Sequence, residues 1–76
     1  MITEDFTFEI KEHIAVLSET TDKGWQIELN LVSWNGGEPR YDIRSWNADH
    51  TRSSKVSTFS KEGLQKFINE LSKVTI

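Results

Sequence analysis

The chain has 76 residues, a formal net charge of −3, a hydrophobic fraction of 36% and no cysteine. That length is one domain, residues 1–76, and so short a domain buries only about 60% of the surface its unfolded chain exposes. No run approaches the ~18 apolar residues of a membrane span, the acidic start Met1-Ile2-Thr3-Glu4-Asp5 is unlike a basic signal-peptide leader, and the absence of Cys excludes disulfides, thiolate metal sites and cysteine nucleophiles.

The first apolar pattern has a period of two. Phe6, Phe8 and Ile10 alternate with Thr7 and Glu9; Ile14 and Val16 restart the pattern after Lys11-Glu12-His13, with Ala15 and Leu17 on the opposite phase. Asp22-Lys23-Gly24 reads as a turn. Trp25, Ile27, Leu29 and Leu31 then alternate with Gln26, Glu28 and Asn30, and the apolar phase shifts to Val32 and Trp34. A slip of that kind predicts a bulge or strong bend near Leu31-Val32. Asn35-Gly36-Gly37-Glu38-Pro39 carries the Asn-Gly hairpin signal. On the third strand Tyr41, Ile43 and Ser45 share one face, and Asp42, Arg44 and Trp46 the other. A polar loop from Asn47 to Ser54 leads to a short strand at about Lys55–Phe59. The period then becomes helical: Leu64, Phe67, Ile68, Leu71 and Val74 fall on one face. Ser60 is a natural N-cap, with Gly63 at the third helical position.

The fold class is therefore α+β: four antiparallel strands in a curved sheet, then one C-terminal helix. One helix covers one face of a sheet. The other stays open unless a partner covers it, and a thin core without disulfides or metal commonly gains its stability by oligomerising, so a homodimer is expected. Three Trp argue against disorder, and the lack of cysteine and of a leader points to a cytoplasmic protein.

Charge is unevenly spread. Residues 1–38 hold eight acids and two bases; residues 39–76 hold four acids and seven bases. Arg40, Arg44, Arg52 and Lys55 cluster beside Tyr41 and Trp46. Cations that track phosphates, with rings that stack bases, are what a single nucleic-acid strand requires. The same spacing reads as packing, with Trp46 in the core and Arg44 paired to Asp42; most Trp in small domains pack, so spacing alone puts that reading ahead. Overall acidity also weighs against a strong phosphate binder.

Catalysis has little support. Asp49-His50 lies in a polar loop, and His13 and His50 are too far apart for zinc spacing; His50 reads as a solvated loop histidine. The serines lack a nucleophile elbow, Gly36-Gly37 lacks a phosphate-loop pattern, and the acids of the first strands read as a solvated face. No catalytic residue, metal or cofactor is expected.

Lys23-Gly24-Trp25, Glu28-Leu29-Asn30, Val32-Ser33-Trp34-Asn35, Glu38-Pro39, Tyr41-Asp42-Ile43-Arg44, Trp46 and Asp49-His50 resemble the YdbC family of small bacterial proteins. That family is similar to the single-stranded-DNA-binding domain of the transcriptional coactivator positive cofactor four. The likeness runs from about Phe6 to the terminal helix. It implies a homodimer whose curved sheets hold single-stranded DNA or RNA with little sequence preference, linked to transcription or DNA maintenance, with a transcription or replication protein as a candidate partner. Arg44 and Trp46 match the Asp-Ile-Arg-x-aromatic motif, and Trp34 matches an aromatic stacking position. The implied interface is Trp34, Arg40, Arg44, Trp46, Arg52 and Lys55, with the cations on phosphates and the two Trp on bases. Where the family carries a Gly-Lys-Gly-like run, this chain has Arg52-Ser53-Ser54-Lys55-Val56-Ser57, which keeps the charge and loses the glycines. The alternative is a protein-interaction module that uses the open sheet face without nucleic acid.

Overall fold

The computed structural model describes residues 7–76. Strands β1 (Phe8–Val16), β2 (Gln26–Trp34), β3 (Arg40–Trp46) and β4 (Ser53–Phe59) precede helix α1 (Lys61–Leu71). The strands form one antiparallel sheet in the order β1-β2-β3-β4. This is the expected α+β order, with β4 starting two residues earlier than its pattern suggests. Phe6, part of the first predicted alternation, lies outside the described residues.

The hairpin joining β2 to β3 forms as its sequence dictates. Asn35 and Gly36 have φ of 52° and 75°, and the Gly37 N–H donates to the Trp34 carbonyl at 2.9 Å. Positive φ at both central residues is what a type I′ turn demands, and Asn-Gly supplies it at least cost. Ser60 caps α1, its Oγ accepting from the Gly63 N–H at 3.1 Å.

Cross-strand partners share a face, so the register sorts the sheet into two sides. On one side Leu29 and Ile43 meet Leu64 of the helix, with Ala15, Ile27, Tyr41 and Phe59 packed around them. Phe67 adds a tilted ring contact with Phe59, centroids 4.9 Å apart. The expected apolar stripe outruns its helix: Ile68 and Leu71 are exposed, and Val74 lies past the last helical turn.

The irregularity expected near Leu31-Val32 is present in the β1–β2 ladder, with its extra residue on the partner strand. No bulge occurs in β2, whose pairing with β3 is unbroken from Gln26 to Val32. The slips lie on β1, at Lys11 and Ile14, and Lys11 stands opposite the Leu31-Val32 step. The change of apolar phase in β2 is ordinary alternation in a strand apolar on both sides. Similarly, the extra residue at Ile14 puts Ala15, and neither Ile14 nor Val16, toward the helix core. β4 slips once more, at Val56. Bulges bend edge strands and increase their twist.

The helix-free side carries Phe8, Ile10, His13, Glu28, Asn30, Val32, Trp34, Arg40, Asp42, Arg44, Trp46, Lys55 and Thr58. No helix covers it, yet Val32, Asn30 and Asp42 have no exposed surface. Side chains on this side close over one another: Arg44 covers Asp42, and Phe8 and His50 cover Trp46.

Candidate nucleic-acid interface

The helix-free side holds two depressions. The larger, about 700 Å³, is an open groove lined by Trp34, Glu38, Arg40, Arg44, Lys55 and Thr58. Thus four of the six residues expected to bind, Trp34, Arg40, Arg44 and Lys55, come together. Three strands supply them: β2 ends on Trp34, β3 contributes Arg40 and Arg44, and β4 contributes Lys55 directly opposite Arg44. Of these two facing cations Arg44 is paired to Asp42, while Glu38 adds a carboxylate to the lining.

The other two expected residues stand elsewhere. Trp46 is 1% exposed. Phe8 covers it at 5.2 Å between centroids and His50 lies against it at 5.2 Å. Its ring is packed in the sheet, as the spacing-based packing reading holds, and offers no surface on which to stack a base in this arrangement. Its indole N–H, which is buried, has no hydrogen-bond partner among the described residues. Arg52 is exposed at the end of the loop that precedes β4 and does not line the groove.

Arg44 is also more enclosed than a solvated cation. Its Nε donates to Asp42 Oδ1 at 2.8 Å, its Nη2 to Asp42 Oδ2 at 3.1 Å and its Nη1 to Ser53 Oγ at 2.9 Å. Its guanidinium lies 4.3 Å from the centroid of Trp34 and 5.9 Å from that of Trp46. Phe8 meets the Trp34 ring on a tilt at 5.5 Å. Arg40 and Lys55, by contrast, are exposed and make no ion pair among the described residues.

The smaller depression, about 350 Å³, is lined by Ile10, His13, Gln26, Glu28 and His50. Here the sequence reading is corrected twice. Glu28 belongs to no solvated face; it is 1% exposed. The two histidines, remote in sequence, converge on it. His50 Nε2 lies 3.0 Å from each Glu28 oxygen, and His13 Nδ1 lies 3.6 Å from Oε1 while bonding Asn30 Oδ1 at 2.7 Å. Gln26 Nε2 and Asn30 Nδ2 also donate to the carboxylate, at 2.8 and 3.1 Å. Burial pushes the Glu28 carboxyl up, but the hydrogen bonds from Gln26, Asn30 and His50, together with the charge of His50, outweigh it and hold the group below its ordinary value. His50 has φ of 58°, and its loop is tied by Asn47 Oδ1, which accepts from the N–H groups of Thr51 and Arg52 at 2.9 and 3.0 Å. The loop therefore anchors to the sheet through hydrogen bonds from His50 to the buried Glu28 carboxylate. Among the described residues no three His, Asp or Glu side chains are placed to hold a metal ion, and no helix is long and apolar enough to cross a membrane.

No protein-family model matches the chain. An uncharacterized protein of Treponema pallidum (strain Nichols) is 33% identical over 75 residues, an alignment that takes in 95% of this chain and 87% of the relative.

Proposed function

The chain belongs to the family of that Treponema pallidum protein, and we propose that it binds single-stranded DNA or RNA as a homodimer, with little reading of sequence. The observation that carries this reading is the groove, where exposed Arg40 and Lys55 flank Trp34 on the side of the sheet the helix leaves open. Cations at a strand's width from an aromatic ring suit a sugar-phosphate chain with splayed bases. The resemblance to the YdbC family supports the same reading, and with it a cytoplasmic role in transcription or DNA maintenance. Arg52, exposed beyond the groove, would extend the cation path along the strand. The homodimer is supported by the helix: Ile68 and Leu71 are 51% and 55% exposed on a helix whose only fully packed apolar residue is Leu64.

A second reading, a protein-interaction module on the same face, is favoured by one observation. Asp42 compensates Arg44 and Glu38 lines the groove, so the net positive charge there is modest. Salt separates the two. Binding of a labelled oligothymidylate of about 20 nucleotides, followed by anisotropy beside a duplex of equal length, is expected to prefer the single strand and to weaken with salt, with log K falling by about 0.7 per phosphate contact for each decade. No binding at low salt would overturn the nucleic-acid reading and leave the protein partner.

A further inference from the structure

We infer that His50 and His13, converging on the buried carboxylate of Glu28, form a proton-dependent latch that holds residues 47–52 over Trp46, closing more firmly as it takes up a proton and loosening as it loses one. The latch shares no lining residue with the groove and acts whether or not the groove takes a single strand. Each ring has one nitrogen committed. His50 Nε2 lies 3.0 Å from both oxygens of Glu28, and an ionised carboxylate only accepts, so that nitrogen carries hydrogen. Asn30 turns its Nδ2 to Glu28 and its Oδ1 to His13 Nδ1, 2.7 Å away. An amide oxygen also only accepts, so His13 Nδ1 carries hydrogen as well. His50 Nδ1 and His13 Nε2 are the remaining basic nitrogens, and no hydrogen bond engages either among the described residues. The two side chains are 37% and 52% exposed, so water reaches them and a proton can arrive without either ring turning.

Proton uptake changes the strength of what holds the loop. Burial raises the Glu28 carboxyl, but the bonds from Gln26, Asn30 and His50 and the charge of His50 hold it below its ordinary value. It therefore stays ionised where histidine titrates, between about pH 5 and 8. A neutral imidazole gives that carboxylate an ordinary hydrogen bond; an imidazolium gives it a charge-assisted one, roughly twice as strong. The other charged groups around the pair are few. From β1, His13 reaches Glu28 Oε1 at 3.6 Å. On β3, Arg44 stands directly opposite Glu28, its charge matched by Asp42. Within the loop Asp49 bonds Thr51, and Arg52 and Lys55 make no ion pair among the described residues. Two costs oppose closure. His50 sits at φ of 58°, a conformation that a non-glycine residue keeps only where its surroundings impose it. The Trp46 indole N–H is buried without a partner among the described residues, which is unfavourable for any donor. The bonds to Glu28 hold the loop closed against both.

The test follows hydrogen exchange by NMR at the Trp46 indole N–H and at the Thr51 and Arg52 amides, which donate to Asn47 Oδ1. Exchange is compared from about pH 5.5 to about pH 8, each rate divided by its intrinsic rate at that pH. Protection in the wild type should fall about fivefold toward high pH, the difference between a charge-assisted bond and a neutral one. His50→Gln keeps an N–H donor but takes up no proton, and should lose most of that dependence. His13→Gln removes the more distant ring and should leave a reduced dependence. Protection indifferent to pH in the wild type, or an undiminished dependence in His50→Gln, would overturn the latch. If His50→Gln does not fold, the imidazole nitrogen resonances of the wild type decide. Hydrogen on Nδ1 of neutral His50 in place of Nε2 sinks the latch, and hydrogen on Nε2 together with pH-dependent protection upholds it.

Discussion

The two sides of the sheet bury residues of opposite character. Against the helix, the interior is Leu29, Ile43 and Leu64 with apolar neighbours. On the helix-free side, Val32 and Trp46 are buried together with Glu28, Asn30 and Asp42, each at 1% exposure or less. The first interior follows from apolar surface leaving water. The second does not, because two carboxylates desolvated with their partners contribute little over apolar residues of the same volume. What the polar network provides is position. Glu28 holds His50 and its loop, and Asp42 holds Arg44 across Trp34. The apolar side keeps the domain folded, and the polar side keeps a surface in one shape.

The largest effect should come from the residue on which the two sides are most alike. Trp46 is as buried as any core residue, so Trp46→Ala should lose ~3–5 kcal/mol, in the range of Leu64→Ala on the other side at ~2–5 kcal/mol. Thermal melts would read both, each kcal/mol lowering Tm by about 4–8 °C in a domain of this size. An unchanged Tm in Trp46→Ala would break the comparison and return its ring to the open surface.

Next comes the charge that distinguishes the polar side. Glu28→Gln keeps the shape and removes the charge-assisted bonds, at about 1.5–3 kcal/mol near neutral pH. The sign with pH follows from the depressed folded value. Stability from Glu28 is fully present above its unfolded value of about 4.3 and is lost as pH falls through the lower folded value. Urea unfolding from pH 7 down to acid should show the wild type losing its advantage over Glu28→Gln in that window. A constant difference across the range would mean that the carboxylate is not held by its charge.

Much of this was legible in the chain. Strict alternation in Tyr41 to Trp46 separated the helix-facing residues from the groove-facing ones, Asn35-Gly36 set the hairpin, and Ser60 marked the helix start. Local pattern states which residues share a face, but not how far a face curls. That is why Glu28, unlike the exposed Glu9 and Glu12, is misread as part of a solvated face, and why Trp46 could be read either as core or as a stacking ring. The slips at Lys11 and Ile14 depend on pairing with a distant strand, so no local period reveals them. His13 and His50 meet only because β1 and the loop after β3 both reach Glu28 on β2. One signal was present: charged and large apolar residues, Glu28, Val32, Trp34, Asp42, Arg44 and Trp46, occupy a single phase, a mixture that neither a solvated face nor an apolar core produces.

Trp34 sharpens the contrast with Trp46. Both rings touch Phe8 and lie near Arg44, but only Trp34 borders the groove. Trp34→Ala should therefore cost ~1–3 kcal/mol in binding a single strand, read by anisotropy, with a smaller loss of Tm than Trp46→Ala. Equal losses of stability in the two variants, with no change in affinity, would mean that both tryptophans serve packing.

The smallest effect on the folded chain is expected at the end of the helix. Leu71 is 55% exposed, so Leu71→Ser should change the stability of an isolated protomer by no more than about 0.5 kcal/mol. In a homodimer that covers this face the same substitution adds an uncompensated hydroxyl to an apolar contact, and association weakens while folding persists. Sedimentation over a range of concentrations should give a dimer for the wild type and a shift toward monomer for Leu71→Ser. A wild type that sediments as a monomer at every concentration would show that the apolar side, thin as it is, suffices alone, and that the exposed Ile68 and Leu71 await something other than a second copy.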